Sequence, residues 1–268
     1  MMKAEAAVSR ILVVQHDGVG AAGNYQAAWS LGGIYVGFIL QAMGTDFYPR
    51  LSTVSEDNPA CNRMVNEQAR VSLLLAGPGL LATLALSPLV MTLFYSSEFG
   101  DAVPLLRWFC LGMLLRVVAW PMGFIILAKG RQQVFFWTEL AAASVNIGLA
   151  WALLSVFGLA GAGIAFVGLY LWHGVLIYFL VRQMSGFRWT RENLLLAALF
   201  MTLTIMVLLA VTLLPFWPGL VVGLLGTALA SWFSLTQLIR LVPPHWIPLA
   251  LRPALYFLLR HAPATPAA

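Results

Sequence analysis

Seven long apolar runs constrain this chain more than any other feature. They cover about residues 24–44, 71–94, 105–128, 134–157, 161–181, 193–214 and 219–238, separated by short clusters of Arg, Asp, Glu, Gly and Pro. Roughly 20 apolar residues is the length that a bilayer's hydrocarbon core requires of a helix. Inside that core no water satisfies backbone N–H and C=O groups, so a spanning segment is either a helix or a strand of a closed barrel. Barrel strands need only about ten residues of alternating character. The runs here are continuous and about twice that long. They predict an all-α fold, a polytopic membrane bundle of about seven transmembrane helices.

The rest of the composition agrees. The 268 residues are 61% hydrophobic and 9% charged, against about 25% charged in ordinary soluble domains, so polar groups cannot cover a water-facing surface. The net charge of +5 does not point to nucleic acid, because the fifteen basic residues are scattered between apolar runs and form no stripe. Two cysteines, Cys61 and Cys110, provide neither a disulfide framework nor a Cys-based metal site, and both read as free thiols.

Basic residues near span ends are held on the cytoplasmic side. One set of loops holds Arg50, Arg63, Arg70, Lys129, Arg131, Arg182, Arg188 and Arg191, with Arg240, Arg252 and Arg260 in the tail. The alternate set holds only Lys3, Arg10 and Arg107. This bias predicts a cytoplasmic C-terminus and, with seven spans, an external N-terminal segment, 1–23. Export of that segment needs a signal, yet its only apolar core is 11–14, shorter than the seven or more residues a signal uses. The expectation is therefore one or more upstream spanning helices, and a chain that supplies the C-terminal part of something larger. The transmembrane bundle is expected over 24–240. In the polar loop 45–70, Ser55-Glu56-Asp57-Asn58-Pro59 offers N-cap and turn chemistry for a short helix lying at the cytoplasmic interface. The tail 241–268 reads as cytoplasmic and partly interfacial. Pro243-Pro244 ends the last span, 249–260 is apolar and Arg-flanked, and 261–268 reads as disordered.

Few polar groups fall within the runs, and these are the candidate site residues. Arg116 sits mid-run, where a charge costs about 2.5–3.5 kcal/mol on insertion scales, so it should face the bundle interior or a water-filled cavity. It is either a cationic group for a phosphate- or carboxylate-bearing substrate or a structural partner for a neighbouring helix. Glu139, the one acidic residue inside a run, is a candidate for proton coupling or substrate gating, or simply reaches water near its helix end. Depth counting places it roughly 10 Å from Arg116. His173 is a weaker candidate against a packed, hydrogen-bonded histidine, and Asn146 reads rather as a bond between helices. Asp46 and Arg50 near the first loop make a weak polar pair. The pairs Gly33/Gly37 and Gly219/Gly223 suit close helix packing, and Pro78 and Pro121 suit bends. There is no His-Cys metal cluster, phosphate-cradling glycine loop or paired carboxylates, so neither an enzyme active site nor a cofactor is expected.

Several stretches in order carry a family resemblance: Gly23-Asn24-Tyr25-Gln26-Ala27-Ala28, Phe47-Tyr48-Pro49-Arg50-Leu51-Ser52, Leu93-Phe94-Tyr95-Ser96-Ser97-Glu98-Phe99, Ala128-Lys129-Gly130-Arg131 and Gly158-Leu159-Ala160-Gly161-Ala162-Gly163. Over about residues 20–190 the chain resembles bacterial polysaccharide-export flippases. These are the O-antigen and enterobacterial common antigen translocases of the multidrug/oligosaccharidyl-lipid/polysaccharide exporter superfamily. The resemblance implies two helical bundles around a cavity that alternates between membrane faces, of which this chain would supply the C-terminal one. It also implies an undecaprenyl-diphosphate-linked oligosaccharide as cargo, flipped across the inner membrane, with membrane lipids, a missing N-terminal half or other polysaccharide-assembly proteins as partners. An arginine in the cavity suits a diphosphate, because guanidinium stays charged and donates in a fork. The competing expectations are a cation-coupled drug or ion exporter of the same superfamily, and a polysaccharide polymerase, which would need a large periplasmic loop.

Overall fold

The computed structural model describes residues 2–241, and every regular element in them is helical. The tail features expected at 243–268 lie outside the described residues. The long helices are α1 (Met2–Ala42), α3 (Asn58–Ala85), α5 (Ala102–Ala128), α6 (Gln132–Phe157), α7 (Leu159–Ser185), α8 (Arg191–Leu213) and α9 (Phe216–Leu241). Two short helices, α2 (Tyr48–Thr53) and α4 (Ser87–Phe94), extend α1 and α3. Seven helical stretches are long and apolar enough to cross a membrane.

The sequence signals for ends and bends are used locally, in places differently from expectation. Asp57 caps α3, its carboxylate accepting from Ala60 N at 3.0 Å, with Pro59 in the first turn. No separate interfacial helix follows. The backbone stays helical through Arg70 into the span, because nothing between Asn58 and Ala85 breaks it except Pro78, which is absorbed. The Tyr35 ring lies over Gly79 and its hydroxyl donates to Leu75 O at 2.7 Å, beside that proline. The run 71–94 is thus split at Leu86 into the end of α3 and α4.

α1 holds the largest departure from the sequence reading. Its helix begins far upstream of residue 24 and is broken at Gly18, with φ 86° and ψ −179°, a conformation that glycine adopts without Cβ strain. A straight helix would put Ala7 and Leu40 about 50 Å apart at 1.5 Å per residue. Here both line one cleft, and Ser9 shares a smaller void with Tyr25 and Trp29. Residues 2–17 therefore fold back along the rest of α1.

α5 occupies the centre, packing on α7, α3 and α1, while α8 and α9 pack on α3. Leu105, Leu106, Phe109, Met113, Leu114 and Val117 of α5 are buried on several faces, as expected of a helix surrounded by others. Close approach is bought with glycine: a Cβ at Gly77 would meet the Phe200 ring at 2.2 Å, one at Gly112 the Phe166 ring at 2.3 Å, and one at Gly223 the Ala85 Cβ at 2.7 Å. Gly219 similarly faces Ala210 O at 2.9 Å, so the Gly219/Gly223 pair packs tightly. Gly33 and Gly37 do not: the nearest atom to a Gly33 Cβ is Met113 Cε at 3.6 Å, and Gly37 has nothing within 4 Å.

At one end of the bundle polar ties gather the basic loops. Lys129 Nζ donates to Ser55 O and Asn58 Oδ1, Asn62 Nδ2 to Ser185 O, and Arg70 Nη1 lies 2.7 Å from Glu192 Oε2. Asn66 is the hub. Its Nδ2 donates to Arg188 O at 3.1 Å, and its Oδ1 accepts from Thr190 N and Asn193 Nδ2, each at 3.0 Å. Leaving buried groups unpaired costs about 1–3 kcal/mol, so Asn66→Ala is expected to destabilise the bundle by that order, read as a lower thermal midpoint in detergent, with α8 loosened first. An unchanged midpoint would show that water replaces the hub.

Candidate functional site

The site is built where α1, α5, α6 and α7 meet. Arg116 stands mid-way along α5, about 18 Å from the Ala128 end at 1.5 Å per residue, and is 1% exposed. Its guanidinium carbon lies 4.7 Å from the Trp120 ring centroid and 5.5 Å from that of Tyr170 on α7. Trp120 is reached because it is one helical turn along the same face of α5. Neither Nε nor Nη2 of Arg116 has a hydrogen-bond partner. Two ring faces thus hold the cation in place while leaving donors unused.

Arg116 also lines a cleft of about 590 Å³ between the folded-back halves of α1 and α5. Arg10, Gln26, Trp29 and Ser30 line it, with Gly33 and Gly37. The two glycines that do not pack closely form the open floor of this cleft. Arg10 is exposed and adds a second guanidinium to the same cleft. Behind Trp29 lies an aromatic cluster outside the cleft, in which Tyr25, Trp29, Phe109 and Phe166 meet edge to face at 5.4–5.7 Å between ring centroids. This packing fixes α1 against α5 and α7, and so fixes the cleft's shape.

The other sequence candidates fall at graded distances. His173 on α7 sits one turn from Tyr170, with ring centroids 6.0 Å apart. Its Nε2 is 3.7 Å from Glu139 Oε1 on α6, and both side chains are nearly buried, at 11% and 12% exposed. That separation is an ion-pair distance but too long for a direct hydrogen bond. Arg116, Tyr170, His173 and Glu139 thus form a polar path across three helices. Asn146, two turns from Glu139 on α6, donates through Nδ2 to Ser9 Oγ at 3.0 Å and ties the folded-back segment to α6. Arg50 is elsewhere: it is exposed on α2, pairs with Asp46 at 3.1 Å, and is held near α5 by the packing of Phe47 and Tyr48 on Phe124. Among the described residues no group of three His, Cys, Asp or Glu is placed to hold a metal ion.

Sequence reasoning missed Tyr170, Trp120, Ser9 and Arg10. Trp120 was findable from its i+4 spacing to Arg116. The others depend on the reversal at Gly18 and on helix rotation, which apolar runs do not encode.

Seven long apolar helices, with α5 central among them, define a polytopic helical membrane bundle. A solved structure, the lipid II flippase MurJ in its inward closed conformation, has a similar fold, with a TM-score of 0.58 at 16% sequence identity. The match covers 88% of this chain and 53% of that one, so the chain spans about half the length of the flippase it matches. No family model matches the chain, and no curated protein matches it either.

Proposed function

We propose that the chain forms one bundle of a flippase that moves an undecaprenyl-diphosphate-linked oligosaccharide across a bacterial inner membrane, in the synthesis of O-antigen or a related polysaccharide. The observation that carries the reading is Arg116, buried at mid-membrane depth with two unpartnered donors and lining a 590 Å³ cleft. A charge in that position is costly unless it serves a cavity or a partner, and a diphosphate accepts the guanidinium's forked hydrogen bonds. The fold shared with a lipid II flippase supports the class of cargo. In this reading Arg116 and Arg10 hold the diphosphate, Gln26 and Ser30 receive sugar hydroxyls, and Trp29, Ile34, Leu40 and Met113 cover the apolar part. The basic end of the bundle faces the cytoplasm, which puts the C-terminus there, and a second bundle, in the same or another polypeptide, closes the cavity.

Complementation tests this reading. The intact gene is expected to restore surface polysaccharide to a strain lacking its O-antigen flippase, and the Arg116→Ala version is expected to fail at equal membrane abundance. Full rescue by Arg116→Ala would remove Arg116 from the substrate site.

One observation favours ion coupling within the same superfamily, the Glu139–His173 pair across α6 and α7. If that pair couples transport to a cation, Glu139→Gln should abolish the dependence of transport on the ion gradient while substrate binding stays within about twofold. Cation-dependent drug resistance conferred by the intact gene, with no polysaccharide phenotype, would favour a drug exporter instead.

A further inference from the structure

A second lined space lies on the opposite face of α5 from Arg116. Met113 and Arg116 turn toward the α1 cleft, whereas Leu115, Val118 and Met122 turn toward a groove of about 460 Å³. Gly174 and Tyr178 of α7 form its other wall, and Trp189, in the segment between α7 and α8, stands at its end. The lining is almost wholly apolar. Tyr178 and Trp189 also line an adjoining space of about 420 Å³, whose remaining walls are Arg182, Arg188 and Leu194. An apolar trough therefore runs along α7 into a pocket with two guanidinium groups.

Among the described residues those two arginines share their lack of an ion pair with Arg63, Arg131 and Arg191, and are set apart by lining one pocket with Tyr178 and Trp189 of the trough. At this end of the bundle Arg70 is paired with Glu192, Arg50 with Asp46, and Lys129 is held by Ser55 and Asn58. Arg182 and Arg188 are exposed, their pocket contains no carboxylate, and neither side chain has an ion-pair partner among the described residues. The dimensions are those of one lipid leaflet. From Tyr170 to Arg182 the helix rises about 18 Å at 1.5 Å per residue, close to half of a hydrocarbon core about 30 Å thick.

We propose that this groove is a binding site for an anionic glycerophospholipid, with its phosphate between Arg182 and Arg188 and one acyl chain along Leu115, Val118, Met122 and Gly174. Charge complementarity selects the headgroup, since paired guanidinium groups favour a lipid with net negative charge over a zwitterionic one. Tyr178 and Trp189 sit where the headgroup meets the chain, the level at which amphipathic aromatic rings settle in membranes. The site lies across Tyr170 from the Arg116 cleft, the ring facing Arg116 and also lining the trough, and it does not depend on the identity of the transported substrate. Its occupant would brace α7 against α8, whose connection carries both Trp189 and Arg188.

Native mass spectrometry of the detergent-solubilised chain, titrated with phosphatidylglycerol, phosphatidylcholine or a polyprenyl monophosphate, tests the proposal. Phosphatidylglycerol is expected to bind at least tenfold more tightly than phosphatidylcholine. The double variant Arg182→Gln, Arg188→Gln should lose that preference, and Gly174→Leu, which fills the trough, should weaken both phospholipids. Arg131→Gln, an exposed arginine at the same end and outside the groove, should change nothing. Equal binding of the two phospholipids, or loss of preference in Arg131→Gln as large as in the double variant, would overturn the site. Tighter binding of the polyprenyl phosphate, with the same arginine dependence, would overturn the choice of a glycerophospholipid. Thermal midpoints of all variants within a few degrees of the parent show that the comparison concerns binding and not folding.

Discussion

Arg116→Met is expected to weaken binding of a diphosphate-bearing lipid at least about thirtyfold, equivalent to the low end of the 2–5 kcal/mol lost when one partner of a buried charged contact is removed. The same substitution should leave the stability of the bundle within about 1 kcal/mol, because two opposing contributions nearly cancel. Holding the guanidinium at mid-membrane depth costs about 2.5–3.5 kcal/mol, and its contacts with Trp120 and Tyr170 return about 0.5–2 kcal/mol each. Methionine fills similar space without either contribution. Arg116→Lys keeps the charge and loses the planar fork, so its affinity should fall between the two. Titration of a fluorescent polyprenyl-diphosphate analogue, paired with thermal unfolding in detergent, reads both quantities. Stability that collapses in Arg116→Met would make the residue a structural cation, and affinity that survives would remove it from the substrate path.

The largest effect on folding is expected at Gly161→Ala. The α6–α7 connection turns at Gly158, where φ is 55° and ψ −145°, and α7 then starts back against the helix it has just left. A Cβ at Gly161 would stand 2.1 Å from Leu153 O and 2.4 Å from its carbonyl carbon. These are backbone atoms, which cannot rotate away as the Phe166 ring beside Gly112 can. Overpacking costs typically 1–3 kcal/mol, and a backbone clash belongs at or above the upper end. Gly123→Ala, on α5 with nothing within 4 Å, is the matched control and should leave the midpoint unchanged or slightly raised. If both variants unfold at the parent's temperature, the tight α6–α7 approach is absent in the folded protein.

The helices were legible because lipid imposes a single rule, that apolar runs of sufficient length become spanning helices. Span ends were less legible. The run 71–94 looked uniform, yet Leu86 divides it, while the polar stretch from Asn58 to Arg70 joined a span because an Asp57 cap and good helix-forming residues outweigh low hydropathy there. Of the candidate site residues, Arg116, His173 and Glu139 were flagged by the cost of burying them, and the fold brings these three to neighbouring positions. Asn146 was flagged for the same reason, and it holds Ser9. Arg50 drew notice through its motif, whose local role is visible: Pro49 starts α2 and Phe47 and Leu51 are buried, while the arginine itself faces outward. The second arginine of the cleft stayed hidden because it depends on one glycine torsion at residue 18. No local pattern in residues 2–17 announces that the segment turns back beside α1.

The central claim is that the space between α1 and α5 receives a lipid-linked diphosphate. Photo-crosslinking in membranes with a polyprenyl-diphosphate oligosaccharide bearing a photoreactive group beside the phosphates tests it directly. Label is expected on peptides containing residues 26–37 and 113–120, reduced by unlabelled substrate and lost in Arg116→Met. Label spread over the outward faces of α6, α8 and α9, or labelling of the cleft that is indifferent to Arg116→Met, would contradict it.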